Sequence, residues 1–530
     1  MTAGKVEVGD ALPLTVPALL RRQAKQHADR PMLVCDDEVL TYGEADARSA
    51  EIAKWLLGLG VRKGAHVGLL LPNGADFVAC WLAAARIGAV TLPLSTFSTA
   101  LELRELIRGA DIELLISADS FRGRDYVGVM REVVPSFDPD STTAILDAEL
   151  PTLRAAYIVG RLPDVPAVDS ALLEASEDAV SPADRMVIVH TSGSTSAPKG
   201  VIHQHGPLIR HLDNLNQIRR YDDTEILFSN SPFFWIGGFG YGLLGTLVAG
   251  ATLVCSNARD AAGVLDVIER ARPTMVNGFA ATVAHLPKDP TFTSRDLSSI
   301  KRGNLWPLLP PQLTPVDPEL RHNMLGMTEA GSVCLVSEDE GDQPEHRRGS
   351  FGKPAPGFEA MIVDPETHLP CVAGAVGELW LRGPFLMEGY YGRARHETFT
   401  SDGWYRTGDL FSIDADGFFY FTGRLGDMIK TAGANVSPRE VEAAILAETG
   451  LVAHVVGIPD DARGERVAAA VRVPADVTEP DLNALRDALR VRLSAYKVPQ
   501  QFVLLPDSEV PMLSSGKLDA RALKVMLSAG

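Results

Sequence analysis

The stretch VGLLLPNGADFVACWLAAARIGAVTLPL, Val67–Leu94, carries the pattern that decides the fold. VGLLL (Val67–Leu71) is apolar and short, which reads as a strand; a helix is expected over Ala75–Ile87, and AVTLPL (Ala89–Leu94) is again strand-like. The alternation continues with a helix over Leu101–Arg108 and ELLIS (Glu113–Ser117). Upstream, Thr41 followed by Glu44 is a capping-box signature, and Ile52, Trp55, Leu56 and Leu59 recur at helical spacing until Gly60 ends the run. Strand and helix alternating in this way predict a largely parallel sheet with helices on both faces, so the fold class is α/β.

A chain of 530 residues exceeds one ordinary core, so two or more domains are expected. Fifty basic residues against 68 acidic ones give a net charge of −18, which speaks against nucleic acid as a partner because phosphate backbones are held by clustered Lys and Arg. The five cysteines, Cys35, Cys80, Cys255, Cys334 and Cys371, are scattered and form no CxxC pair, as a reducing cytoplasm allows. Lys5, Glu7 and Asp10 interrupt the start of the chain, which does not read as a secretory signal. Between Glu225 and Arg259 no residue is charged, but glycines and Pro232 break the run and no basic cluster flanks it. A buried core segment is expected there, not a membrane span.

From about Gly374 the pattern changes. GELWLRG (Gly377–Gly383) and DGFFYFTG (Asp416–Gly423) read as short strands of an all-β subdomain. Beyond it, Ser437, Pro438 and Glu440 fit N-cap, first and third helical positions, with Gly450 at the C-cap. AHVVGIP (Ala453–Pro459), RVAAAVRVP (Arg466–Pro474) and a helix carrying Leu482, Leu485, Leu489 and Leu493 complete an α+β unit. The expected division is a large domain over residues 1–423, a hinge over 424–427 and a small mobile domain over 428–530.

TSGSTSAPKG (Thr191–Gly200) follows the strand-like run Met186–Val189. Its hydroxyls, close-approaching Gly193 and single Lys199 can serve a polyphosphate, although an ordinary polar loop has the same composition. It is not a Walker A loop, because Pro198 precedes Lys199–Gly200 where Gly–Lys–Ser/Thr is required.

Further segments follow in order. They are LGMTE (Leu325–Glu329), GWYRTGDL (Gly403–Leu410), Gly423–Asp427, Gly433–Pro438 and Ser515–Lys517. Together with TSGSTSAPKG they resemble the motifs of the adenylate-forming superfamily of acyl-CoA synthetases, adenylation domains and luciferases, with similarity from about residue 15 to 527. The resemblance implies an AMP-forming acid–thiol ligase that uses ATP, Mg2+ and coenzyme A. It implies that Lys517 is the catalytic lysine, that Glu329 holds magnesium and that Thr328 contacts phosphate. Thr191, Ser192, Gly193, Ser194, Thr195 and Lys199 would bind the phosphates, and Leu325, Gly326 and Met327 the base. Asp409 and Arg424 would reach the ribose and nucleotide. The small domain would rotate after adenylation and present a second face, bearing Lys430 and Gly433, to a pantetheine thiol.

Four positions depart from the commonest pattern. Ser196 replaces a glycine, Leu325 an aromatic, Trp235 a frequent histidine, and Gly426 an Asp or Lys of the hinge. Gly240–Gly245 is a literal GxGxxG, but the residues before it, SPFFWIGGF, resemble the family's acyl-pocket segment, so no nicotinamide site is expected. His203–Gln204–His205 reads as strand or helix-cap histidines, not a metal pair. Trp235, Gly237, Gly238, Asn277 and Gly303 are expected to line an apolar acyl pocket for a fatty, alicyclic or aromatic acid. Free CoA is the simpler thiol acceptor; a carrier protein's pantetheine and a non-catalytic acyl-adenylate binder are the alternatives, and the oligomeric state is left open.

Overall fold

A computed structural model of the protein describes residues 11–141, 143–191, 198–278, 283–425, 429–474, 477, 479–511 and 518–529. The segments read as strands from their unbroken apolar character are buried along their length: His66–Leu70, Val90–Pro93 and Leu114–Ser117 pair in parallel. Helix Ala75–Arg86 packs on them with Trp81 fully buried. They are the centre of a seven-stranded sheet ordered Gly389–Tyr390, Lys199–Gln204, Arg185–Thr191, Val90–Pro93, His66–Leu70, Leu114–Ser117 and Ala155–Ile158. A second, six-stranded sheet runs Arg302–Gly303, Met275–Val276, Ile226–Phe228, Thr252–Cys255, Pro31–Cys35 and Glu38–Thr41. The expected α/β fold, with a large N-terminal and a small C-terminal domain, is borne out.

The Thr41–Glu44 capping box forms as read and opens helix Tyr42–Gly58. The antiparallel subdomain starts earlier than the turn-rich stretch near Gly374 suggested. Its four strands are Glu359–Val363, Gly377–Arg382, Tyr405–Ile413 and Phe419–Arg424. In the C-terminal domain Ser437 caps helix Pro438–Thr449, and Gly450 ends it at φ 70°. Strands Ala453–Asp460 and Gly464–Val473 pair along their length, and Gln501–Pro506 joins the second of them in parallel.

The charge-free segment is core. It folds as strand Ile226–Phe228, π-helix Gly237–Leu244, helix Gly245–Ala249 and strand Thr252–Cys255. Among the described residues no helix is long and apolar enough to cross a membrane. The wide turn follows from its glycines: a Cβ on Gly238 would lie 2.1 Å from the Pro232 carbonyl oxygen. Gly240 and Gly242 therefore sit inside a helix and not at a strand-to-helix turn.

Histidines are buried around the edge of the large sheet. Burial lowers the pKa of His190, His203 and His205 to about 4 and that of His211 to about 3. Because the unfolded chain protonates first, the stability these rings contribute is present above about pH 6.5 and is lost as pH falls toward 4. His211 stacks on Phe385 at 5.7 Å, so a phenyl ring fits its place. His211→Phe should flatten the fall in unfolding free energy between pH 6 and 5 by about 1.4 kcal/mol per pH unit, read by guanidinium unfolding. An unchanged slope would contradict a neutral buried His211.

Candidate active site

Thr328, Glu329 and Ala330 make one tight turn between strands Leu325–Met327 and Ser332–Val336. Gly331 closes it at φ 72°, where a Cβ would meet Leu208 at 2.7 Å. The turn is held from behind by His203, whose Nε2–H donates to the Thr328 carbonyl at 2.7 Å. A carbonyl only accepts, so this bond fixes the ring tautomer. His203 lies in a strand and His205 opens the next helix, the positions expected of strand and helix-cap histidines.

In front of the turn, the Tyr390 hydroxyl donates to Glu329 Oε1 at 2.7 Å and lies 3.0 Å from the Tyr405 hydroxyl. Burial, then the Glu329 charge, pushes both phenols above their ordinary range and keeps them protonated. Lys199 Nζ lies 5.0 Å over the Tyr390 ring and the Arg393 guanidinium 5.6 Å. Desolvation and the Arg393 charge hold Lys199 below the usual lysine range, with Glu329 opposing.

Asp409 and Arg424 are cross-strand partners. Arg424 Nε bonds Asp409 Oδ1, and Nη2 reaches Oδ2 at 3.4 Å. Burial pulls Arg424 down, but Asp409, followed by Glu329 and Tyr405, outweighs it and the guanidinium stays firmly charged. Lys430, at the start of the C-terminal domain, places Nζ 4.9 Å over the Phe421 ring. Desolvation and Arg424 lower its pKa while Asp409 and Glu465 oppose. Gly433 forms the turn after it at φ 81°.

The π-helix packs against the same turn. A Cβ on Gly240 would lie 2.8 Å from the Gly331 carbonyl, so the π-helix carrying Gly237 and Gly238 abuts the Glu329 turn. The Trp235 ring lies 5.5 Å from Phe234 and 6.3 Å from Phe97. Asn277 is buried, and its neighbour Gly278 exchanges hydrogen bonds with Asn304 at 3.0 and 2.8 Å. Gly303 adopts φ 135°, and a Cβ there would collide with the Val276 carbonyl at 1.9 Å. Leu325 is half-buried in its strand, Gly326 is exposed and Met327 half-buried.

Thr191 and Lys199 are cross-strand partners. Ser192, Gly193, Ser194, Thr195 and Ser196 lie outside the described residues, as do Gly426 and Lys517. Among the described residues no group of three or more His, Cys, Asp or Glu is arranged as a metal cage. One tethered carboxylate, Glu329, with the Thr328 hydroxyl next to it in the chain, fits magnesium, which binds through few protein oxygens and keeps water and phosphate ligands.

Residues 20–391 match the AMP-binding enzyme family and residues 440–517 the AMP-binding enzyme C-terminal domain. The chain belongs to the AMP-binding enzyme family. It is 31% identical over 496 residues to a feruloyl-CoA synthase of an Amycolatopsis species, covering 90% of this chain and 92% of that one. With a mitochondrial medium-chain acyl-CoA ligase of Bos taurus it shares 26% identity over 539 residues, covering 96% and 87%. Its fold resembles that of an o-succinylbenzoate CoA synthetase from Bacillus subtilis bound with a product analogue, with a TM-score of 0.78 at 24% identity over 96% and 98% of the chains. The expectation of an AMP-forming acid–thiol ligase is borne out.

Within this AMP-binding enzyme the sequence reading passed over several residues. Tyr390 carries no motif signal; Tyr405 lies within GWYRTGDL but received no role. His203 was read as structural and turns out to brace Thr328. Asn73 was not singled out: its side chain donates to the Ser231 carbonyl at 3.0 Å and accepts from Phe233 N–H at 2.8 Å, clamping the segment that leads to Trp235. Tyr390→Phe removes the donor to Glu329, and a hydrogen bond to a charged group contributes about 1.5–3 kcal/mol. Its adenylation rate should fall roughly 10- to 100-fold while the protein stays folded, its unfolding free energy dropping by no more than about 3 kcal/mol; a rate within twofold of the parent would remove Tyr390 from the site.

Proposed function

We propose that the protein is an ATP-dependent carboxylic acid–CoA ligase working in two steps, with the residues named by motif in the roles the resemblance implies. The observation that carries this reading is the meeting of the Glu329–Tyr390–Tyr405 cluster with the Asp409–Arg424 pair, flanked by Lys199 and Lys430. Lys199 and Lys430 are held below their usual pKa first by desolvation and then by Arg393 and Arg424 beside them, so partly buried cations stand close together, which suits a polyanion.

In the first step a carboxylate oxygen attacks the α-phosphorus of ATP, and the bond to pyrophosphate breaks, its electron pair leaving with pyrophosphate. The attacking group and the phosphates repel each other, so the chain must hold both and neutralise the charge that builds. Thr191, Ser192, Gly193, Ser194, Thr195, Lys199 and Thr328 bind the phosphates, and Lys517 brings a cation to the reacting oxygens. Asp409 and Arg424 orient the ribose, with Leu325, Gly326 and Met327 beside the base. Glu329 would hold magnesium, which when bound would neutralise charge on the phosphates. In the second step the thiol sulfur of CoA bonds to the acyl carbon as the carbon–oxygen bond to phosphate breaks. AMP leaves with the electron pair and the thiol proton is lost to solvent. Lys430 and Gly433 belong to the face that serves this step.

The division at residues 1–423, 424–427 and 428–530 is supported by separate apolar clusters on either side of it. An apolar acid, held by Trp235, Gly237, Gly238, Asn277 and Gly303, is supported by the mutual packing of the Phe97, Phe234 and Trp235 rings, and by relatives named for feruloyl and medium-chain acyl groups. CoA, not a carrier protein, is the acceptor those relatives are named for. The free cysteines suit a cytoplasmic setting.

Carboxylate-dependent exchange of labelled pyrophosphate into ATP tests the first step, and loss of free thiol with CoA the second. Absence of exchange across fatty, alicyclic and aromatic acids would overturn the reading. Lys517→Ala should suppress exchange about 100-fold or more while leaving conversion of a supplied acyl-adenylate to thioester largely intact. Equal loss in both would contradict the division of labour between the two faces.

A further inference from the structure

The two domains meet at a buried charge cluster of Glu102, Glu440 and Lys497. Glu102 lies in the first turn of helix Ala100–Gly109 in the large domain, where its Oε2 accepts Thr99 N–H at 2.8 Å as half of a capping box. The same carboxylate accepts from the C-terminal domain. Ser494 N–H reaches Oε1 at 3.0 Å, the Ser494 hydroxyl reaches Oε2 at 2.7 Å, and Lys497 Nζ lies 3.0 Å from Oε1. Lys497 also holds Glu440, at 2.8 Å, within its own domain. The side chains of Lys497, Glu102 and Glu440 are only 8%, 12% and 12% exposed. One ammonium thus faces a carboxylate from each domain.

The pKa directions agree with that geometry. Lys497 is raised because its acidic and phenolic neighbours outweigh desolvation, Glu102 is lowered by Lys497, Ser494 and Thr99 against its burial, and Glu440 is raised by burial. Next to the cluster, Tyr496 meets Phe97 edge-on at 6.5 Å, and Phe97 contacts Phe234 and Trp235 of the acyl side. A buried ion pair is weak evidence for net stability, but several directional bonds on one carboxylate specify an orientation.

We propose that Glu102 is a positioning residue for thioester formation: through Ser494 and Lys497 it latches the C-terminal domain in the orientation that brings Lys430 to the Asp409–Arg424 pair. The assignment to thioester formation rests on the two-step reading above; the latch itself does not. When the domain turns away, Lys497 keeps Glu440 and Glu102 keeps its cap on Thr99, so neither charge is stranded and the latch is reversible. Tyr496 seals the aromatic wall beside Trp235 only while the latch is closed.

The variant Glu102→Gln keeps the shape and the cap and removes the charge that Lys497 reads. Thr99→Ala weakens the same helix start without touching Lys497. Two measurements separate the possibilities. One is energy transfer between dyes on cysteines introduced by Leu172→Cys and Val525→Cys, exposed positions in the two domains. The other is the pair of half-reactions, pyrophosphate exchange and conversion of a supplied acyl-adenylate with CoA. Glu102→Gln should change the transfer efficiency and slow thioester formation about tenfold, with pyrophosphate exchange within about twofold of the parent, and Thr99→Ala should do neither. Unchanged transfer in Glu102→Gln, equal effects on both half-reactions, or the same pattern in Thr99→Ala would overturn the latch. A changed transfer efficiency in a protein whose parent shows no exchange would uphold the latch and fail only the two-step reading.

Discussion

The strand Lys199–Gln204 is the constraint on which the site depends. It has partners on both edges, Arg185–Thr191 on one and Gly389–Tyr390 on the other, and its buried His203 grips the Thr328 carbonyl. A strand fixed by two ladders and one side-chain bond has no freedom to shift register without turning His203 to the wrong face. Through it the parallel sheet, the Glu329 turn and Tyr390 become one rigid body. Glu329 therefore meets a hydroxyl whose position is set by backbone pairing rather than by a loop.

Around that rigid body the electrostatics are deliberately unbalanced. Burial first, and then Arg393 for Lys199 and Arg424 for Lys430, disfavours the charge on each lysine, while Glu329 opposes at Lys199 and Asp409 and Glu465 oppose at Lys430. Cations crowded together in partly desolvated surroundings are held at a cost that an incoming anion relieves. The cations come from different parts of the chain: Lys199 from an antiparallel strand of the seven-stranded sheet, Arg424 from the antiparallel subdomain and Lys430 from the C-terminal domain. Lys430 faces Arg424 and Asp409 from the C-terminal domain, so the charge balance around that pair depends on how the domain is docked.

The unusual residues also have local causes. Gly238, Gly240 and Gly303 each stand where a Cβ would press on a carbonyl at 2.1, 2.8 or 1.9 Å, so at these three positions backbone approaches backbone. The π-helix Gly237–Leu244 follows from that crowding, because without side chains its turns can widen against Pro232 and Gly331. Leu325, which stands where the family commonly has a ring, is fixed by its strand beside Cys334, whose thiol lies 3.5 Å from the Leu325 carbonyl.

Local pattern determined what depends on neighbours in the chain. The strands around Val67–Ser117, the Thr41–Glu44 and Ser437–Glu440 caps and the core character of the charge-free segment all formed as read, because apolar periodicity and capping act over a few residues. The ordered motifs determined the family for the same reason, each being a short contiguous string. The rest required the tertiary fold. The antiparallel sheet begins at Glu359, whose strand gains its meaning only from pairing with Gly377–Arg382. Tyr390 reaches Glu329 across 61 positions, His203 reaches Thr328 across 125, and Lys497 reaches Glu102 across 395. No spacing rule spans such distances; they are closed by sheet register and domain docking, which bury polar groups and so oblige them to find each other.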